Sequence, residues 1–469
     1  MTDETMTDET TIDETTIDEI RPVAPSEAGF LSPAPTTCAY ESTLVGRLDV
    51  DALATSFAAL RWHHPALDAS ARPGDAGWVF VSADRGDDGV CASGAPFTVE
   101  TVAELPEPAP APVVDPSRSL AALSVVTSGD RHRVTLAFNH AAADAGTVIG
   151  LFDELWSGYA QALATGSVAD LPPVEFPRSA EGLIAARGIR VGTDSGRERV
   201  EGVRWYGAMP VGTSTGPCLP DVTSLRFSPE VTARFARAAE DHGMSALLSG
   251  VLLSAERAGF VDEPADLPIR VGALTLVDMR RRLGEPVDPT SVTNLVAASF
   301  AAVDLTTAPT SDPAAAVAAA IAVGAEVAGN IRPDLQAGRC LAAMVGPTEP
   351  GPAVQEAAEQ TPIAPAEPAI TLSNLGILHI DLPDGLVYED LRPRMTLDSA
   401  FLHIPPDAGL PRLPAPVATI YQAFTVAGRL AVEALTLGGA TSPQARAAIA
   451  DRITFLVGAA AEYALPAQK

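Results

Sequence analysis

Positive charge is what this sequence has least of. Its 31 basic residues include a single lysine, Lys469, and face 59 acidic ones, for a formal net charge of −28. A field of that sign repels nucleic acid and argues against a phosphate-tracking surface. Docking of an acidic protein would need arginines gathered locally, with Arg392 and Arg394, or Arg197, Arg199 and Arg204, as the candidates. Cysteine is equally sparse. Cys38, Cys91, Cys218 and Cys340 lie far apart with no CxxC pair, so free thiols are expected, and neither a disulfide framework nor a metal site is indicated. Uninterrupted apolar runs of about 18 residues are missing, which argues against an integral membrane segment. The amino terminus lacks the basic-then-apolar order of a secretory signal, so a cytoplasmic address is expected.

What is present is core material. Over 469 residues, 47% are hydrophobic and 19% charged, enough for two or three domains or for two halves sharing a cleft. Residues 1–20 repeat MTDET, MTDET, TIDET, TIDEI and have almost nothing to bury, so a disordered acidic tail is expected. Residues 21–185 read as one half, 186–220 as a weakly patterned linker and 221–469 as a second half. The string Gly212-Thr213-Ser214-Thr215-Gly216 matches a GxSxG elbow, but neither a buried strand before it nor a helix after it is visible, so it reads as a loop. His63-His64-Pro65 ends a helix spanning 49–61. No third ligand lies nearby in sequence, and no metal is expected there.

The chemistry concentrates at residues 135–159. Val134 to Phe138 are an apolar, β-favouring run after the turn Ser128-Gly129-Asp130. Val148, Ile149, Leu151, Phe152, Leu155, Trp156 and Tyr159 then recur at helical spacing. Between them stands Asn139-His140-Ala141-Ala142-Ala143-Asp144. Burying a histidine or a carboxylate unpaired is costly, so such groups are either satisfied or functional. His140 reads either as a strand-end histidine bonded to backbone or as a general base. Asp144 fits a helix cap in the first case.

Four stretches, in order, resemble the chloramphenicol-acetyltransferase-like superfamily of peptide condensation domains, plant BAHD acyltransferases and polyketide-associated acyltransferases. They are Leu60-Arg61-Trp62-His63-His64-Pro65-Ala66-Leu67, Asn139-His140 through Asp144, Val277-Asp278-Met279-Arg280 through Thr293-Asn294, and Ser373-Asn374-Leu375-Gly376. Within the superfamily the chain looks most like the phthiocerol/phthiodiolone dimycocerosyl transferases. The resemblance implies an α/β (α+β) fold of two similar, mostly antiparallel halves, with a channel between them and His140 at its middle. It also implies transfer of an acyl group from a thioester, on an acyl carrier protein or coenzyme A, to a hydroxyl.

On that resemblance His140 is the general base, and Asp144 points away from substrate to pair with Arg280. An ordinary arginine in the Arg280-Arg281-Arg282 run is the other reading of that residue. Asn374, or a backbone N–H near Gly376, is the expected oxyanion donor. No Ser or Cys nucleophile is placed, so direct transfer is expected, with no cofactor. The acceptor would be a small hydrophobic or polyketide-like alcohol. The carrier protein, a polyketide synthase or acyl-coenzyme A would be the partner, and the chain a monomer. Two departures from condensation domains lower the odds of amide formation: Asn139 replaces the first of two histidines, and Ala145 precedes Gly146 after the aspartate. A catalytically silent module that binds carrier proteins is the alternative from another class.

Overall fold

The computed structural model describes residues 19–31, 35–75, 77–83, 95–107, 109, 112–200, 203–204, 217–218, 220–264, 267–305, 310–345, 369–398, 417–436 and 441–462. The acidic repeat to residue 18, the GxSxG string and Cys91 lie outside the described residues. The expected disorder of the tail therefore lies outside them too, while Glu19 and Ile20 open the first strand.

β1 (Glu19–Pro22) and the single turn α1 (Pro25–Ala28) lead into β2 (Thr36–Gly46) and α2 (Val50–His63). β3 (Ser70–Gly74), β4 (Gly77–Val81), β5 (Phe97–Thr101), β6 (Ala121–Ser128), β7 (Arg131–Asn139), α3 (Ala145–Thr165) and α4 (Ala180–Ala186) complete the first half. The second brings β8 (Pro217–Cys218), β9 (Asp221–Arg226), α5 (Pro229–Ala238), α6 (Met244–Glu256), β10 (Ile269–Asp278) and β11 (Val296–Leu305). After these come α7 (Pro313–Gln336), α8 (Arg339–Val345), β12 (Ala369–Leu378), β13 (Leu386–Asp398), β14 (Val417–Val426), β15 (Arg429–Thr436) and α9 (Pro443–Glu462).

Two six-stranded sheets carry the fold, in the orders β5-β6-β7-β2-β13-β8 and β11-β10-β12-β14-β15-β9, beside a small sheet β1-β4-β3. Pairing is antiparallel except at β5–β6, β10–β12 and β12–β14. The mixed α/β architecture of two similar halves is therefore the one expected. The boundary between the halves is not. β13 lies deep in the second half of the chain, yet it pairs with β2 of the first, from Leu386 against Gly46 to Leu397 against Thr36. β8, inside the expected linker, pairs with β13. α4 contributes Ala180 and Ile184 to a cluster with Val277, Met279, Leu283 and Leu295. Residues 186–220 thus hold part of a sheet, and 221–469 is not a self-contained half.

β7 is buried along its length because it is a central strand, flanked by β6 and β2. α3 packs the stripe Val148, Leu151, Phe152, Leu155, Trp156 and Tyr159, all fully buried, into the core beneath. Its ends are set chemically. The Asp144 carboxylate accepts from the Thr147 N–H at the start, and Gly166 adopts φ +79° at the end. In the second half α6 and α7 cross where two glycines meet. A Cβ on Gly250 would fall 1.9 Å from the Ala320 carbonyl oxygen, and one on Gly324 would fall 2.0 Å from that of Ala246. By length and composition alone α7 could cross a membrane. In this fold it packs on α6 and β11, and its Asp334 is buried against Arg199 and Ser299.

Candidate active site

The end of β7 places His140 where the two halves meet. Its backbone N–H donates to the Thr36 carbonyl at 2.7 Å, tying the loop to β2. Asn139 does the rest of the stitching. Its amide donates to the Phe30 carbonyl at 3.2 Å, and its oxygen accepts from the Ala141 N–H at 3.0 Å. The residue that departs from the condensation-domain pattern is therefore a fully buried loop brace.

The imidazole is partly buried, with the Phe30 ring stacked on it at 4.3 Å between centroids. A carbonyl oxygen can only accept, so the 2.8 Å contact between Nδ1 and the Ala143 carbonyl puts the hydrogen on Nδ1. Nε2 keeps its lone pair. Burial lowers the imidazole below its ordinary range, opposed by the Ala143 hydrogen bond and by Asp144. A neutral ring with a free Nε2 is the state a general base requires.

Asp144 does not touch that ring. It is 1% exposed, and its carboxylate accepts two bonds from Arg280, at 2.8 and 3.0 Å, and one from the Leu295 N–H at 2.7 Å. Arg280, 4% exposed, also donates to Asp278, to the Thr147 hydroxyl and to the Thr293 carbonyl. The carboxylate thus does both things the sequence left open: it caps α3 and holds the guanidinium. Gly146 has its reason here as well. A Cβ on it would lie 3.1 Å from Arg280 Nη1, so this glycine gives the guanidinium room.

Asn374 lies elsewhere. Its amide donates to the Ser245 hydroxyl at 2.8 Å and its oxygen accepts from the Gly376 N–H. Among the described residues nothing joins it to His140. Asn294, quoted in the motif but given no role, is the side chain that does reach the histidine. Its Nδ2 donates to the His140 carbonyl at 3.2 Å and comes within 3.4 Å of Nδ1. Its pairing with His140 across 154 residues leaves no local signal in the sequence. Cys38 borders the same loop, its thiol 3.5 Å from the Ala143 carbonyl. Burial first, then Asp144, pushes that thiol far above its ordinary range, so it is not a nucleophile at neutral pH.

The arginines considered for docking are engaged within the molecule. Arg392 pairs with Asp390, Arg394 donates to the Ala109 carbonyl, Arg199 pairs with Asp334 and Arg204 with Glu263. Arg197 sits over the Phe300 ring.

Two sheets that exchange a strand, with a histidine loop braced by an ion pair from the opposite half, define the condensation-domain, chloramphenicol-acetyltransferase-like fold. The first condensation domain of the calcium-dependent antibiotic synthetase superposes with TM-score 0.62 at 15% identity, over 95% of this chain and 97% of that one. Within that fold the likeness is to one group. Residues 216–435 match the family described as phthiocerol/phthiodiolone dimycocerosyl transferase C-terminus. The phthiocerol/phthiodiolone dimycocerosyl transferase of Mycobacterium tuberculosis (strain ATCC 25618 / H37Rv) is 31% identical over 277 residues, which are 55% of this chain and 61% of that protein. That of Mycobacterium leprae is 30% identical over 270 residues, covering 55% and 62%. The chain thus spans about three fifths of the length of these curated relatives. Polyketide synthase associated protein 5 from Mycobacterium tuberculosis superposes with TM-score 0.67 at 24% identity, over 93% of this chain and 98% of that one.

Proposed function

We propose that this protein is an O-acyltransferase. It moves an acyl group from a thioester, on an acyl carrier protein or coenzyme A, to a hydroxyl of a hydrophobic, polyketide-like acceptor in the cytoplasm. The observation that carries the reading is the tautomer of His140. With the Nδ1 hydrogen committed to the Ala143 carbonyl, Nε2 is free to take a proton, and burial keeps the ring neutral. The names of the relatives, dimycocerosyl transferases, support acyl transfer to a lipid acceptor.

In this mechanism Nε2 removes the acceptor's hydroxyl proton as its oxygen attacks the thioester carbonyl. The tetrahedral intermediate then collapses, the C–S bond breaks, and the imidazolium returns the proton to the leaving thiolate. No covalent acyl-enzyme and no cofactor is required. Asp144 and Arg280 act as positioning residues, holding the loop rather than the reacting atoms. Asn374 Nδ2 spends one of its two hydrogens on Ser245, and Asn374 has no contact with His140 among the described residues, so a backbone N–H is proposed as the oxyanion donor.

A thiol-release assay with acyl-coenzyme A and simple alcohols or amines tests the proposal, with mass spectrometry of the product. Ester formation that falls roughly 10²- to 10⁴-fold in His140→Ala is expected. Amide as the sole product would favour the condensation reading. Release that is absent, or indifferent to His140, would leave a silent binding module.

A further inference from the structure

The histidine pair at the end of α2 has no part in acyl transfer. Neighbouring residues on a helix do not face one another. Here His63 is the last helical residue and His64 stands outside, with φ −114° and ψ 81°, so the two rings converge edge to face at 4.5 Å. The third ligand that the sequence lacked nearby comes from α3. Glu154 Oε2 lies 2.9 Å from His64 Nε2, and one nitrogen from each ring and one carboxylate oxygen all lie within 4.8 Å of one another.

Two further observations set this group apart from a chance surface cluster. His63 Nδ1 donates to the Pro172 carbonyl at 2.7 Å, which fixes its tautomer and leaves Nε2 with a lone pair. Metal-ligating histidines are commonly held this way, by a carbonyl on the other nitrogen. His64 is 2% exposed, and the nitrogen that faces Glu154 is its Nε2. The second half of the chain reaches the same face of α3: Gly150 lies one turn before Glu154, and a Cβ there would fall 3.2 Å from the Pro289 carbonyl.

We propose that His63, His64 and Glu154 form a binding site for a divalent transition-metal cation of the zinc type. Two imidazoles and a carboxylate suit zinc, whose bonds of about 2.0–2.2 Å need the ligands only modestly closer than they stand. The cation touches no reacting atom. It clips the end of α2 to α3, the helix that Asp144 of the His140 loop caps.

The test uses untagged full-length protein freed of metal by chelation and titrated with Co²⁺, then Zn²⁺. One equivalent of Co²⁺ should bind with the intense visible bands of a tetrahedral site. Zn²⁺ should displace it and raise the melting temperature. His63→Ala and Glu154→Gln, checked for folding by circular dichroism, should lose both signals, while His140→Ala keeps them. The proposal is overturned if the wild type shows no such bands, or if both ligand variants retain them.

Discussion

A single carbonyl, that of Ala143, decides which nitrogen of His140 is available, and burial decides the charge the ring carries. Both effects bear on pH. Because the folded imidazole lies below its ordinary value of about 6.5, it stays neutral, as the proposed base must, when pH falls through that value. The acid limb of kcat/KM should therefore have its midpoint below about 6.5, and a midpoint above it would contradict the assignment. The same shift has the opposite sign for stability. The unfolded chain takes up this proton first, so His140 makes the fold less stable as pH drops from about 6.5 towards the lowered folded value, and contributes nothing to pH dependence above. Asp144 and Arg280 behave differently. Removing Arg280 leaves the Asp144 carboxylate buried without its ion pair, and removing Asp144 leaves Arg280 only the exposed Asp278 as an ion partner, each at a cost of about 3–5 kcal/mol. Thermal melts should show His140→Ala close to wild type, with Asp144→Ala and Arg280→Ala both strongly destabilised and inactive. Equal melting points for all three would refute the bracing role.

The elements around the base were legible because their physics is local. β7 announces itself as an apolar, β-favouring run after a turn, and α3 as a helical apolar stripe. β13 was missed for equally local reasons. Pro393 interrupts it, and its charged residues Glu389, Asp390, Arg392 and Arg394 read as surface. Its partner β2 is more than 300 residues away, and no local pattern reports a pairing at that range. α7 runs through Pro333 to Gln336, although a proline there reads locally as a helix end. Asn294 and Glu154 belong to the same class of omission: each matters through a neighbour distant in sequence. The α6–α7 crossing yields a prediction of its own. Gly250→Ala should cost at least the 1–3 kcal/mol of ordinary overpacking, because the obstacle is the rigid Ala320 carbonyl rather than a side chain. Denaturant unfolding measures this, and an unchanged midpoint would mean that the helices separate freely.

At the scale of the molecule, the acidic balance and the scarcity of cations have a visible outcome. Many arginines are spent on internal ion pairs: Arg226 with Asp390 and Arg131 with Glu389 each reach β13, while Arg226 with Glu433 joins neighbouring strands of one sheet. The strand exchange carries furthest. Gly46 sits at φ +132° where β13 starts, and a Cβ there would overlap the Gly385 carbonyl, so β2 is shaped for a partner that the ribosome makes much later. At translation speeds of about 5–20 residues per second, β2 and β7 emerge on the order of tens of seconds before β13 can reach them. During that interval the nascent chain presents an open, largely apolar strand edge, the kind of edge that invites pairing with other chains. The fold's dependence on a late strand thus makes its biogenesis, more than its finished form, the step most exposed to aggregation and to chaperone supply.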